Sequence, residues 1–98
     1  MDYLIVLAKV EPKTGCQDSI LEISNELISE TLLEEGNIDY QLLKSINDDS
    51  LTFVEKWESQ DALEKHMRSP HFLNFSEESE EFVEKMTIQV IDAKENSL

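Results

Sequence analysis

The chain is poor in cysteine, glycine, proline and basic residues, and the shortages of cysteine and of basic residues each exclude a class of protein. Its 98 residues include one Cys, two Gly and two Pro. The single cysteine, Cys16, excludes an internal disulfide and a cysteine-based zinc site. Eight Lys and Arg residues stand against 22 Asp and Glu residues, which gives a formal net charge of −14. We therefore expect no nucleic-acid partner and no membrane partner, because both bind through basic side chains that neutralise phosphates.

Long apolar runs and a basic N-terminal start are also missing. The longest apolar run, residues 4–8, is far too short to cross a bilayer, and Met1-Asp2-Tyr3 lacks the basic start of a secretory signal. We therefore predict a cytoplasmic protein. Hydrophobic residues make up 40% of the chain, which suits one domain with a single core. We place that domain at residues 1–94 and a flexible tail at residues 95–98.

The apolar pattern predicts the element order β-α-β-β-α-β. The strands are expected at residues 3–10, 37–45, 51–57 and 86–91, with the chain fraying from Asp92 onward. A first helix is expected at residues 17–35, where apolar residues recur three and four apart and Gly36 can cap the end. A second helix, with Phe82 and Val83 on its apolar side, is broken at Ser69-Pro70, where each half begins after a capping serine. This order is that of a ferredoxin-like α+β fold.

The first strand carries a clue to the assembly of the protein. A ferredoxin-like sheet has helices on one face only. In residues 3–10, however, the side chains expected on both faces of the strand are apolar. A second copy of the chain is the simplest cover for the open face. We therefore predict a homodimer in which two sheets pack face to face.

Aromatic and imidazole groups are scarce and gather in residues 55–75, which hold the only Trp and both His residues. Trp57 shares one strand face with Phe53 and Glu55. A carboxylate between two aromatic residues is solvated at an edge, buried as a base with a raised pKa, or paired in a salt bridge across the dimer. Tyr40 lies on an apolar strand face, so its hydroxyl either contacts a ligand or reaches water.

The two histidines are the remaining candidates for proton transfer. His66 and His71 are five residues apart with Pro70 between them, whereas a metal pair on one helix requires a spacing of three or four. We therefore expect no metal site. His66, at the end of the short helix, suits a pocket acid or base. His71 either ties the helix break together or carries a second proton, and residues 77–81 read as a solvated acidic face or a rim for a basic partner.

Four blocks of the sequence resemble the antibiotic biosynthesis monooxygenase family. They read EPKTG at residues 11–15, EGNIDY at 35–40, FVEKWES at 53–59 and HMRSPHF at 66–72. The resemblance implies a dimeric α+β barrel with a pocket between sheet and helices. It also implies oxidation of electron-rich aromatic molecules by O₂ with no added cofactor.

Two positions depart from particular branches of that family. Ser76 stands where the haem-degrading members are expected to have an axial His, and Phe53 stands where the polyketide-oxidising members have an Asn. We therefore expect a cofactor-independent monooxygenase that acts on a small hydroquinone or phenol. The alternatives are a non-catalytic dimeric module for binding or stress, and an isomerase-like enzyme for a small metabolite. The expected catalytic residues are His66, Glu55 and His71, and the expected pocket residues are Trp57, Tyr40, Phe53, Phe72 and Phe75.

Overall fold

The fold is a four-stranded antiparallel sheet with helices packed against it, and the computed structural model describes residues 2–96 of the chain. The strands are β1 (Asp2–Pro12), β2 (Asn37–Lys44), β3 (Leu51–Trp57) and β4 (Val83–Lys94). The strand order in the sheet is β2-β3-β1-β4, which confirms the ferredoxin-like α+β prediction. The helices are α1 (Gln17–Thr31), α2 (Gln60–Met67) and α3 (Pro70–Ser79), and a short 3₁₀ turn spans Glu80–Phe82.

The first helix ends four residues earlier than the sequence predicts. It stops at Thr31, and the chain tightens into turns in which the Glu34 N–H donates to the Thr31 carbonyl at 3.0 Å. Gly36 closes this segment with a φ of +88°, a left-handed conformation that favours glycine. Leu32, the last apolar residue at helical spacing, is half exposed, so its apolar character was a misleading signal for a longer helix. The early end places Glu34 in a turn rather than on the helix.

The predicted break between α2 and α3 is confirmed, and serine caps explain it. The Ser59 hydroxyl accepts a hydrogen bond from the Ala62 N–H at 3.2 Å, which starts α2. The Ser69 hydroxyl accepts from the Phe72 N–H at 3.3 Å, with Pro70 in the first helical position of α3. Because each cap satisfies backbone donors that a helix start leaves unpaired, two short helices form instead of one.

The last strand is longer than predicted. The expected fraying from Asp92 is wrong, because Asp92, Ala93 and Lys94 pair with residues 2–4 of β1. Phe82 and Val83 do not lie on α3, since Phe82 ends the 3₁₀ turn and Val83 begins β4. Residues 95–96 belong to no helix or strand, and residues 97–98 of the predicted tail lie outside the described residues.

The core lies between the sheet and the helices. Alternate residues of β3, namely Leu51, Phe53, Glu55 and Trp57, are all buried, and they share one face of the strand as predicted. On β4, by contrast, Met86, Ile88 and Val90 are each about half exposed. In residues 2–96 no helix is long and apolar enough to cross a membrane. The acidic residues Glu77, Glu78, Glu80 and Glu81 are exposed, consistent with a solvated face.

Candidate active site

A cavity of about 90 Å³ lies between the sheet and the helices, as expected for the pocket. All four strands and all three helices contribute to its wall. The lining is almost entirely apolar and includes four of the five predicted pocket residues, Tyr40, Phe53, Phe72 and Phe75. Among the described residues the polar side chains at the wall are Tyr40, Glu55 and His66. Any chemistry inside the cavity therefore depends on a phenol, a carboxyl and an imidazole.

His66 is the most deeply buried of these groups, with 1% of its surface exposed. It lies in the last turn of α2, which Ser59 positions through the helix cap. Its Nδ1 is 2.6 Å from Glu34 Oε2, and because a carboxylate can only accept, Nδ1 carries the proton. The other nitrogen, Nε2, is buried and has no hydrogen-bond partner among the described residues. Burial lowers the pKa of His66, and the Glu34 carboxylate partly opposes this effect. The neutral ring thus presents a free lone pair in an apolar setting.

The same oxygen of Glu34 binds both histidines. His71 Nε2 is 2.9 Å from Glu34 Oε2, and the two imidazole rings lie 6.0 Å apart. Sequence reasoning missed Glu34, although Glu26, Glu30 and Glu34 are spaced by four and Glu34 directly precedes a recognised block. The spacing argument against a metal pair does not apply either, since His66 and His71 lie on two different helices and meet at Glu34. One ligand atom from each of the three residues lies within 4.8 Å of the others.

Glu55 is a buried carboxyl with 5% of its surface exposed. It accepts a hydrogen bond from the indole Nε1 of Trp57 at 2.9 Å. Burial raises the pKa of Glu55 to about 7; the Trp57 bond lowers it and the Glu34 charge raises it further. The structure therefore excludes a solvated edge position and favours a buried group that titrates near neutral pH.

Tyr40 is also buried, so its tip does not lie in open water. Burial raises the pKa of Tyr40 far above its ordinary value, and the carboxylates of Glu55 and Glu34 add to the effect. The phenol consequently stays protonated and can donate a hydrogen bond. Its ring packs against His66, with centroids 5.3 Å apart. The protonated phenol of Tyr40 thus lies beside the imidazole of His66.

Two predicted site residues lie outside the cavity wall. Trp57 is fully buried and packs behind His66, with ring centroids 4.7 Å apart. His71 lies on the outer side of Glu34, with 14% of its side chain exposed. Trp57 donates a hydrogen bond to Glu55, which lines the cavity. His71 contacts Glu34, and Glu34 in turn contacts His66. Their position is that of supporting residues.

Comparisons with known proteins agree with this architecture. The family described as antibiotic biosynthesis monooxygenase matches residues 3–78. A protein of Mycobacterium tuberculosis named "Putative monooxygenase Rv0793" is 30% identical over 70 residues, which cover 71% of this chain and 69% of that protein. The "Probable quinol monooxygenase YgiN" of Escherichia coli K12 is 27% identical, covering 90% of this chain and 95% of its own.

A solved structure extends the agreement to the fold. A conserved protein from Methanosarcina mazei superposes with a TM-score of 0.89 and 31% identity, covering 93% of this chain and 92% of that chain. The family match includes the turn with Glu34, strand β3, and the segment with His66 and His71. The chain therefore belongs to the antibiotic biosynthesis monooxygenase family, and the relatives from Mycobacterium tuberculosis and Escherichia coli carry monooxygenase names.

Proposed function

We propose that this protein is a cofactor-independent monooxygenase that oxidises a small aromatic molecule of the hydroquinone or phenol type with O₂. Family membership and the names of the relatives support a monooxygenase. The apolar cavity with aromatic walls suits a planar aromatic substrate and O₂, and it keeps water away from reactive intermediates. The proposal gives each polar group at the wall a separate task.

The observation that carries the proposal is the unpartnered, buried Nε2 of His66 in a ring held by Glu34. A substrate hydroxyl placed against Nε2 can transfer its proton to the imidazole, and the Glu34 carboxylate stabilises the imidazolium that forms. The resulting phenolate is electron-rich enough to reduce O₂. One oxygen atom then bonds to the ring and the other leaves as water, with the substrate supplying the electrons.

Tyr40 and Glu55 complete the proposed arrangement. The Tyr40 hydroxyl, which stays protonated, can donate to the substrate anion. Glu55, with a pKa of about 7, can hold or return a proton near neutral pH. His71 keeps Glu34 in place from outside. The described cavity wall has no Lys or Arg, so it offers no counter-charge to a phosphorylated metabolite of the kind that the isomerase alternative requires.

The proposed enzyme is a homodimer that closes the cavity at β4. Met86, Ile88 and Val90 line the cavity and are also exposed to solvent by 42%, 52% and 56%. An apolar strip of this kind beside an open cavity is suited to burial against a second copy of the chain. Light scattering after size exclusion tests this point. A species of twice the 11.3 kDa chain mass supports the dimer, and a monomer at micromolar concentration contradicts it.

The decisive experiment is O₂ uptake by the metal-free protein with a panel of hydroquinones and naphthohydroquinones, corrected for autoxidation. His66→Ala should abolish enzyme-dependent uptake, and free imidazole that enters the vacated space should restore part of it. Lys65→Ala, at an exposed neighbouring position, is the matched control and should leave the rate unchanged. Uptake no faster than autoxidation across the panel would contradict the proposal, and ligand binding without turnover would favour the non-catalytic binding module.

A further inference from the structure

We propose that Glu34, His66 and His71 form a binding site for a divalent transition-metal ion of the zinc class, behind the cavity wall. The site shares His66 with the proposed function but does not depend on any turnover. It consists of one carboxylate oxygen and two imidazole nitrogens contributed by a turn and two helices.

The distances suit adjacent ligands of one ion. Glu34 Oε2 is 2.6 Å from His66 Nδ1 and 2.9 Å from His71 Nε2. Metal–ligand bonds of about 2.0–2.1 Å place neighbouring ligand atoms roughly 3.0–3.4 Å apart. The carboxylate therefore needs to withdraw from each ring by a few tenths of an ångström, and the two imidazole nitrogens, which lie within 4.8 Å of each other, must approach to that spacing. Glu34 lies in a turn and the His71 side chain is partly exposed, so both side chains can make that movement.

The ligand set is one that zinc uses. Two histidines and one glutamate hold zinc in sites that keep a further position open for water. Here the open side faces outward, since 15% of the Glu34 side chain and 14% of the His71 side chain are exposed. An ion can thus reach the site from solvent without passing through the substrate cavity.

The surrounding charge favours a cation. Glu26 and Glu30 lie on α1, which precedes the turn with Glu34, and together with His71 they line a shallow depression on the outer surface. The chain carries a formal net charge of −14. Exposed carboxylates alone bind such ions weakly, so the two imidazoles must supply the selectivity. The acidic residues raise the local cation concentration at the entrance.

Occupancy would change what His66 offers to the cavity. An ion bound at Nδ1 moves the ring proton to Nε2, which then donates a hydrogen bond instead of accepting a proton. Under the proposed function, the ion is therefore an inhibitor that acts from behind the wall. This consequence rests on the proposed function, whereas the binding itself does not.

The test is titration of the tag-free, chelator-treated full chain with Zn²⁺ by calorimetry and with Co²⁺ by visible absorption. We expect saturation at one ion per chain. Glu34→Gln and His71→Ala should each weaken binding by at least about tenfold, the lower end of what loss of even an outer-shell partner costs. His71 is partly exposed, so His71→Ala tests the site even if Glu34→Gln fails to fold.

Two control variants separate ligation from other causes. Glu30→Gln removes the same charge from an exposed position beside the site and should change affinity by no more than about twofold. Cys16→Ser removes the one thiol and should have no effect. The proposal is overturned by the absence of saturable binding, by equal losses in Glu30→Gln and Glu34→Gln, or by loss only in Cys16→Ser.

The outcomes also separate this proposal from the proposed function. Turnover by metal-free protein that does not bind Zn²⁺ overturns the metal site alone. Specific Zn²⁺ binding by a protein with no turnover supports the metal site and leaves the monooxygenase proposal contradicted. Where both hold, Zn²⁺ should inhibit wild-type turnover and inhibit His71→Ala only at a concentration at least about tenfold higher.

Discussion

Two carboxyl groups flank the same pair of packed rings, His66 and Trp57, and they occupy opposite environments. Glu34 contacts the pair through His66 Nδ1 and Glu55 contacts it through Trp57 Nε1, while the two rings lie 4.7 Å apart. Glu34 lies at the outer edge, with 15% of its side chain exposed and two imidazoles as partners. Glu55 is buried against the cavity with one indole N–H as partner.

The comparison teaches that the environment, not the residue type, assigns the role of each carboxyl group. Glu34 is partly exposed and contacts two imidazoles, so its place suits the stabilisation of a neighbouring cation. Glu55 has no cationic partner among the described residues, and burial brings its pKa to about 7. One carboxyl group is thus suited to stabilise a cation and the other to exchange a proton.

The largest expected effect comes from neutralising Glu34. Glu34→Gln keeps the shape and an acceptor for His66 Nδ1–H but cannot stabilise an imidazolium, so kcat should fall by about 100-fold or more with little change in KM. The measurement is O₂ uptake in the presence of a chelator, with Glu30→Gln as the control of equal charge. A Glu34→Gln protein with undiminished kcat would show that Glu34 does not stabilise the His66 imidazolium during the reaction.

Gly36→Ala should disrupt the contact between Glu34 and His66 and leave the contact between Glu55 and Trp57 intact. An added Cβ lies 2.6 Å from the Cβ of Ala62 on α2, and the φ of +88° is unfavourable for alanine. The strain should lower the free energy of unfolding by about 2–5 kcal/mol and push α2, with His66, away from Glu34.

Denaturant unfolding and histidine NMR shifts can test the Gly36 prediction together. Gly15→Ala is the matched control, because its φ is +78° but no atom lies within 4 Å of the added Cβ. Equal destabilisation of both variants would indicate backbone strain alone, without a clash against α2.

Trp57→Phe tests what the hydrogen bond from Trp57 contributes to the environment of Glu55. It removes the indole N–H that lowers the pKa of Glu55 and leaves a small void in a fully buried position. We expect the free energy of unfolding to fall by about 2–4 kcal/mol and the pKa of Glu55 to rise further. Urea unfolding measures the change in stability, and NMR titration of the carboxyl group measures the pKa of Glu55. An unchanged pKa would show that the hydrogen bond from Trp57 does not stabilise the carboxylate form of Glu55.

Glu55→Gln should give the smallest change in the free energy of unfolding, and that change should depend most strongly on pH. The pKa of Glu55 is about 7 in the folded protein against an ordinary 4.5, so between these values the folded state holds a proton that the unfolded chain has lost. The contribution of Glu55 to the free energy of unfolding of the wild-type protein therefore decreases as the pH rises from 4.5 to about 7, and it is constant above pH 7.

The glutamine variant removes that dependence while still accepting from Trp57 Nε1. Above pH 7 it should be more stable than wild type by about 1–3 kcal/mol, and the difference should shrink toward pH 4.5. Comparing melting curves of the two proteins at each pH cancels the opposite contribution of His66, whose lowered pKa destabilises the fold in acid. A constant difference across the range would mean that Glu55 is charged throughout.

Much of the fold could be predicted because its signals are local. The burial of alternate β3 residues follows from side chains that point to opposite faces of a strand, and Ser59 and Ser69 start helices by binding nearby backbone N–H groups. The errors occurred where the local signal was ambiguous. Leu32 follows the helical spacing although it is half exposed, and Asp92 and Lys94 are polar although they pair with β1.

The sequence by itself determined the order of elements, the helix break and the gathering of aromatic residues around His66. The tertiary structure alone decided that Glu34 meets two histidines 32 and 37 residues away, because that contact requires a turn and two helices to converge. It also decided that Glu55 is buried and titrates near 7, since a pKa depends on the solvent and charges that the complete fold places around the group. Short-range hydrogen bonds and periodicity are written in neighbouring residues, whereas a site made of distant residues exists only after the chain has packed.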